Sequence, residues 1–237
     1  MFLTNIAYAS EESHSAIQVV FSIGSVEITS EIITMWAVML LVTIVCYLGT
    51  RNLKRIPSGL QNVLEYGVST LQSFFADLMG EKRAKQFLPM LMTFFILILC
   101  SNYSGVLPLA GEHIPGYKPP TSNVSVTAGF AIVVFFSVII FGIKAKGLGY
   151  FKHFVEPIVI LLPINILEQF TRPLSLALRL YGSVYGEEMV VASLASLIPL
   201  FLPIPMQVLG LLFGAIQAFV FTLLAAMYIE EATAVHH

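Results

Sequence analysis

The sequence predicts an all-α, polytopic integral membrane protein with about five transmembrane helices and one amphipathic helix, the last two spans being long, tilted and antiparallel. Three observations predict it. Of the 237 residues, 57% are hydrophobic and only 11% charged, with a mean hydropathy of +0.86, a balance foreign to soluble domains. The apolar residues gather in runs of about 20, long enough to cross a hydrocarbon core as helix. Lys and Arg gather at alternate ends of those runs, the signature of loops held on the cytoplasmic side. The net charge of −2 says less than this distribution.

Residues 1–31 hold Glu11, Glu12, Glu27 and Glu31 and no Lys or Arg, so they are expected as a short non-cytoplasmic tail. Met1–Ala9 lacks the basic start and long apolar core of a cleaved signal peptide. The first span runs from about Ile32 to Leu48 and stops at the basic cluster Arg51, Lys54 and Arg55, giving a unit of residues 32–56. Pro57-Ser58-Gly59 breaks the chain. Leu60, Val63, Leu64, Leu71, Phe74, Phe75 and Leu78 then recur at helical spacing, which predicts an amphipathic helix over 60–79 followed by a cytoplasmic loop to residue 86.

The second span covers about Phe87 to Leu109, with Asn102, Tyr103 and Ser104 toward its far end. Residues 111–122 have turn chemistry and belong outside. The third span, about Val124 to Ile143, opens with the polar Asn123, Ser125 and Thr127 and closes on Lys144 and Lys146; together these make a unit of residues 87–153. The remainder, 154–237, is expected to hold two long helices. An apolar run from about Ile158 to Leu200 is roughly twice a membrane thickness as helix, so it must break or tilt. Pro163 and Pro173 are the candidate breaks, and the favoured reading is a short helix to about Leu162 and then one long inclined helix. Leu200–Pro205 is a turn. The last span, about Met206 to Ile229, carries Gln217 near its middle and ends at Glu230, Glu231, His236 and His237. The N-terminus is then outside and the C-terminus cytoplasmic.

No phosphate loop, HExxH or nucleophile motif is present, and no His or Cys spacing suits a metal. Cys46 and Cys100 read as small hydrophobes inside spans. Neither a cofactor nor nucleic acid is implied.

The informative stretch is Thr171–Glu188. Arg179 lies near the middle of its apolar run, where a charge costs several kcal/mol and usually marks an ion path. It cannot deprotonate to escape that cost. Its helical neighbours at three and four residues are Ser175, Leu176, Gly182 and Ser183, none acidic, so its counter-charge must come from another helix or another polypeptide. Arg172, by contrast, has Glu168 four residues before it and reads as a structural ion pair. Ser175, Arg179, Gly182, Ser183 and Gly186 form a stripe of small residues around one guanidinium, which lets a partner helix approach closely. Glu188 lies nine residues on, on the opposite face, with Glu187 on the flank. One helix thus keeps a fixed cation and titratable carboxylates apart, as two separate polar access routes require. Gln217, at similar depth on the last span, could position the guanidinium or act as an interhelical amide.

Arg-Pro-Leu-Ser-Leu-Ala-Leu-Arg-Leu-Tyr-Gly (172–182), then Glu187-Glu188, then Gly-Ala-Ile-Gln-Ala-Phe (214–219) closely resembles the subunit a family of the F-type ATP synthase membrane sector, from about residue 55 to the C-terminus. Pro-Thr-Ser-Asn-Val-Ser-Val-Thr (120–127) and Ile-Lys-Ala-Lys-Gly (143–147) resemble the family around its third span. The resemblance implies that Arg179 is the essential arginine facing the rotating ring of c-subunit proteolipids, that Glu188 is the half-channel glutamate, and that Gln217 packs near the arginine. It also implies subunit b of the peripheral stalk, the soluble F1 sector indirectly, and the lipid bilayer as partners. The chain itself would catalyse no covalent step. Three positions depart from the family pattern. Ser183 stands where Asn is usual, Asn123 where some relatives carry an acid, and Gly210 where some have His or an acid, a role Glu187 can fill from the adjacent helix. The expected location is a bacterial plasma (inner) membrane. A self-contained transporter using Arg179 for an anionic substrate is the alternative, and the absence of an inverted repeat weighs against it.

Overall fold

A computed structural model describes residues 19–23, 26–51, 59–105, 118–147, 149–152, 162–197, 201 and 203–234. The cluster beyond Arg51, the Pro57-Ser58 break, the outer turn at 111–117, the short helix expected before Leu162, and His236-His237 lie outside these residues.

The described residues fold as six long helices preceded by a small ribbon. β1 (Val19–Ile23) and β2 (Val26–Thr29) pair antiparallel, Phe21 opposite Ile28 and Ser22 opposite Glu27; their β-branched and aromatic residues favour that pairing. Thr29 leads straight into α1 (Ser30–Thr50), which leans on α3, on α2 and on the short 3-10 turn Pro120–Ser122. Apolar all round, α1 leaves Trp36, Leu40, Leu41 and Leu48 exposed, as a helix surrounded by lipid does.

α2 (Leu60–Met79) follows the predicted periodicity, burying Phe75 and Met79 while exposing Val63 and Tyr66. The loop expected up to residue 86 is corrected: a single residue, Gly80, separates the end of α2 from the start of α3 (Glu81–Ser104). Gly80, with φ of 82°, makes the corner alone, because a residue without Cβ holds that backbone conformation at little cost. On α3 the buried positions Ala84, Phe87, Leu91, Phe94 and Ile98 alternate three and four apart, one continuous stripe. α4 (Val124–Lys146) is capped by Asn123, whose Oδ1 accepts from the Ser125 N–H at 2.8 Å, and a single turn at Gly149–Lys152 follows it.

α5 (Leu162–Leu197) is one helix of 36 residues, about 54 Å long. Pro163 sits in its first turn, where the missing N–H has no intrahelical partner to lose, and Pro173 lies inside without ending it. α6 (Pro203–Thr233) is the central helix, packed against α3, α4 and α5. Phe94 of α3, Phe130 of α4 and Phe221 of α6 meet edge-to-face with ring centres 6.0–6.4 Å apart, and the core grows around them.

Among the described residues, α1, α3, α4 and α6 are each long and apolar enough to cross a membrane. α5, the remaining expected span, has Glu168, Arg172, Arg179, Glu187 and Glu188 set along its length. The molecule is a polytopic, all-α integral membrane protein.

Candidate functional site: the outward face of α5 and its junction with α6

α5 and α6 run in opposite directions side by side. Arg172 near the start of α5 pairs with Glu231 near the end of α6, while Glu187, farther along α5, lies over Gly210, nearer the start of α6. Leu176, Ala177, Leu180 and Val184 form the buried stripe of α5.

Arg179 lies off that stripe. It is exposed, and no hydrogen bond or ion pair to its guanidinium exists among the described residues. Ser175 and Gly182 are exposed beside it, Ser183 and Gly186 half-buried. A Cβ at Gly182 or Gly186 would meet nothing within 4 Å. The outward face of α5 is therefore a cation set in a smooth channel of small residues, open to whatever lies alongside. Ser183 turns its hydroxyl back to the Leu180 carbonyl at 3.0 Å, which keeps it compact.

The inner side differs. Glu187 and Glu188 are half-buried. The Glu187 carboxylate occupies the space above Gly210 so closely that a Cβ there would overlap it. Gly210, Gly214, Gln217 and Phe221 share one face of α6. At Gly214 the neighbour is Asn102 of α3, whose Nδ2 donates to the Gly214 carbonyl at 3.0 Å and whose Oδ1 accepts from Thr121 Oγ1 at 2.9 Å. Gln217 is 8% exposed, and its Nε2 has no acceptor among the described residues. It makes no bond to Arg179, because one faces inward and the other outward. Glu187, Gly210, Gly214, Gln217, Asn102 and Thr121 thus lie along one face of α6, a polar seam that Arg179 does not touch.

Asn123 stands apart from this seam as the cap of α4. Glu168 and Arg172 form their pair at 2.6 Å, but Arg172 also reaches Glu231 at 2.6 Å. Sequence reasoning missed Glu231 as that partner, and missed the Asn102–Thr121–Gly214 junction. Asn102 was visible as an amide inside an apolar run, as Gln217 was; its partners, 19 and 112 residues away, left no local signal. The described residues contain no cluster of His, Cys, Asp and Glu that could hold a metal ion.

The sequence profile of the family described as ATP synthase A chain matches residues 32–230. The ATP synthase subunit a of Gloeobacter violaceus is 44% identical over 206 residues, covering 86% of this chain and 83% of that protein. The ATP synthase subunit a of Moorella thermoacetica is 43% identical over 213 residues, covering 90% of this chain and 94% of that protein.

Proposed function

The chain belongs to the ATP synthase A chain family, and on that premise we propose that it is the stationary ion-conducting subunit of an ATP synthase membrane sector, offering two half-channels to a rotating ring of c-subunit proteolipids. The observation that carries this reading is Arg179: a permanent cation with no acceptor among the described residues, on a face whose small side chains admit a helix at close range.

In this mechanism an ionised carboxylate on the ring is the missing partner. It is drawn to Arg179, where charge neutralisation offsets the cost of leaving water. A proton arriving through the outer half-channel neutralises the carboxylate, which can then turn into lipid because no bare charge is transferred. After most of a revolution the proton leaves by the second half-channel. Arg179 stands between the two routes and repels a proton that would pass directly. The seam of Glu187, Gln217, Asn102 and Thr121 supplies acceptors and donors for one half-channel, with Glu188 beside it. Ser175 and Ser183 contribute small side chains at the ring contact, and Asn123 holds the outer start of α4. Each proton brings only about 2.3 kcal/mol per 100 mV, so several must cross for each ATP. ATP is made in the soluble F1 sector, reached through the ring and through subunit b of the peripheral stalk, and this chain performs no covalent step. The membrane is the bacterial plasma membrane, with the N-terminus outside and the C-terminus in the cytoplasm.

The test is Arg179→Ala in the assembled complex reconstituted into vesicles. ATP-driven acidification should disappear while ATP hydrolysis by the detached soluble sector persists. Acidification at the unaltered rate overturns the role of Arg179.

A further inference from the structure

We infer that Arg172 is a positioning residue: its ion-pair clasp to Glu231 fixes the sliding register of α5 against α6 and so the height at which Arg179 is presented to the ring. The functional half of this inference rests on the reading above; the structural half does not.

One guanidinium makes four hydrogen bonds here. Nη1 donates to Glu231 Oε2 at 2.6 Å and Nη2 to Glu231 Oε1 at 3.0 Å, a two-pronged fork across the helix pair. Nη2 and Nε donate to Glu168 Oε1 at 2.6 and 3.2 Å, back along α5. The same guanidinium lies over the Tyr228 ring, 5.1 Å from its centre and three residues before Glu231 on α6. The far side of the clasp is held as well. Glu230 pairs with Arg83 of α3 at 3.2 Å, and the Glu231 carbonyl accepts from Lys146 Nζ of α4 at 3.3 Å. The end of α6 is thus fastened to α3 and α4, and α5 is fastened to α6.

The buried positions of α6 include Gly210, Gly214, Ala218, Ala225 and Ala226, small residues that form shallow grooves. Glu187 rests over a glycine. A slip by one turn would displace Arg179 by about 5.4 Å, enough to break its pairing with a ring carboxylate. Pro173 directly follows Arg172 and leaves the Gln169 carbonyl without its helical donor, so α5 is weakest where the clasp grips it. From there seven residues, about 10 Å of helix, carry the fixed position to Arg179.

The experiment uses the assembled complex with Cys46 and Cys100 replaced by Ala and spin labels at Val190→Cys on α5 and Leu212→Cys on α6. The inter-label distance and ATP-driven acidification are read in parallel. Arg172→Met should broaden or shift the distance by up to about 5 Å and lower acidification about tenfold or more, without loss of assembly. The reversed pair Arg172→Glu with Glu231→Arg should restore both. Arg172→Lys, which keeps the charge but not the fork, should fall between. An unchanged distance in Arg172→Met, or restoration by neither reversal nor Lys, overturns the inference. Should Arg172→Met fail to assemble, an unaltered distance in Arg172→Lys overturns it equally. Failure of the reading of Arg179 is separable, because it shows in Arg179→Ala acidification while the label distance still reports on the clasp.

Discussion

Gly210 and Glu187 show how one residue's lack of a side chain makes room for another's. Glu187 brings its carboxylate into the volume that any side chain at 210 would claim. Gly210→Ala should therefore push the carboxylate out of the seam, an overpacking cost of about 1–3 kcal/mol, and cut passive proton uptake by vesicles stripped of the soluble sector several-fold. Glu187→Asp, one methylene shorter, should recover part of that loss when combined with it. Unchanged uptake in Gly210→Ala would remove Glu187 from the conducting route. At this scale much was legible in the sequence. Arg179 stood out because its helical neighbours carry no acid, and that reasoning needs only 100° per residue. Gln217's bond to Arg179 was legible as a possibility and is absent from the structure, since similar depth on adjacent helices says nothing about which way each side chain turns.

Between elements, the polar fastenings sit at the two ends of the bundle and the apolar packing between them. Toward one end, Arg83–Glu230, Arg172–Glu231 and Lys146 to the Glu231 carbonyl join α3, α4, α5 and α6. Toward the other, Asn102 joins α3 to α6 and, through Thr121, to the turn before α4. An interhelical hydrogen bond inside a membrane is worth about 0.6–2 kcal/mol, and Asn102 makes two, both buried. Asn102→Leu should lower the melting temperature of the detergent-solubilised complex by several degrees and slow proton uptake. Thr121→Val, which removes one donor and leaves Asn102 bonded to Gly214, should do about half as much. Equal stability in Asn102→Leu would mean that the junction holds nothing together. The helices themselves were legible from periodicity, including the whole of α2. The corner at Gly80 was not. Glu81-Lys-Arg-Ala-Lys85 reads as a polar loop, yet its charges lie on the first turns of α3: Arg83 reaches Glu230, and the helical order Glu81 to Lys85 pairs at 3.7 Å.

For the whole molecule, the fastenings define two ends and therefore a topology. The starts of α3 and α5 and the finishes of α4 and α6 gather where Arg83, Lys146, Arg172, Glu230 and Glu231 meet. The finish of α3 and the start of α4 gather around Asn102 and Thr121. From α3 to α6, consecutive helices alternate in direction, as spans joined by loops on alternating faces must. Lys82, Lys85 and Lys144 all lie exposed toward the first end, and the excess of basic residues there is what the proposed cytoplasmic placement of that end rests on. In a background with Cys46 and Cys100 replaced by Ala, Lys85→Cys and Lys144→Cys should react with a membrane-impermeant maleimide only after the cells are opened. Val124→Cys, exposed at the other end, should react in intact cells. Labelling of Lys85→Cys and Val124→Cys from the same side would contradict α3 as a span. Labelling of all three with the sides exchanged would keep the fold, reverse its orientation, and move the Glu187 seam to the cytoplasmic half-channel.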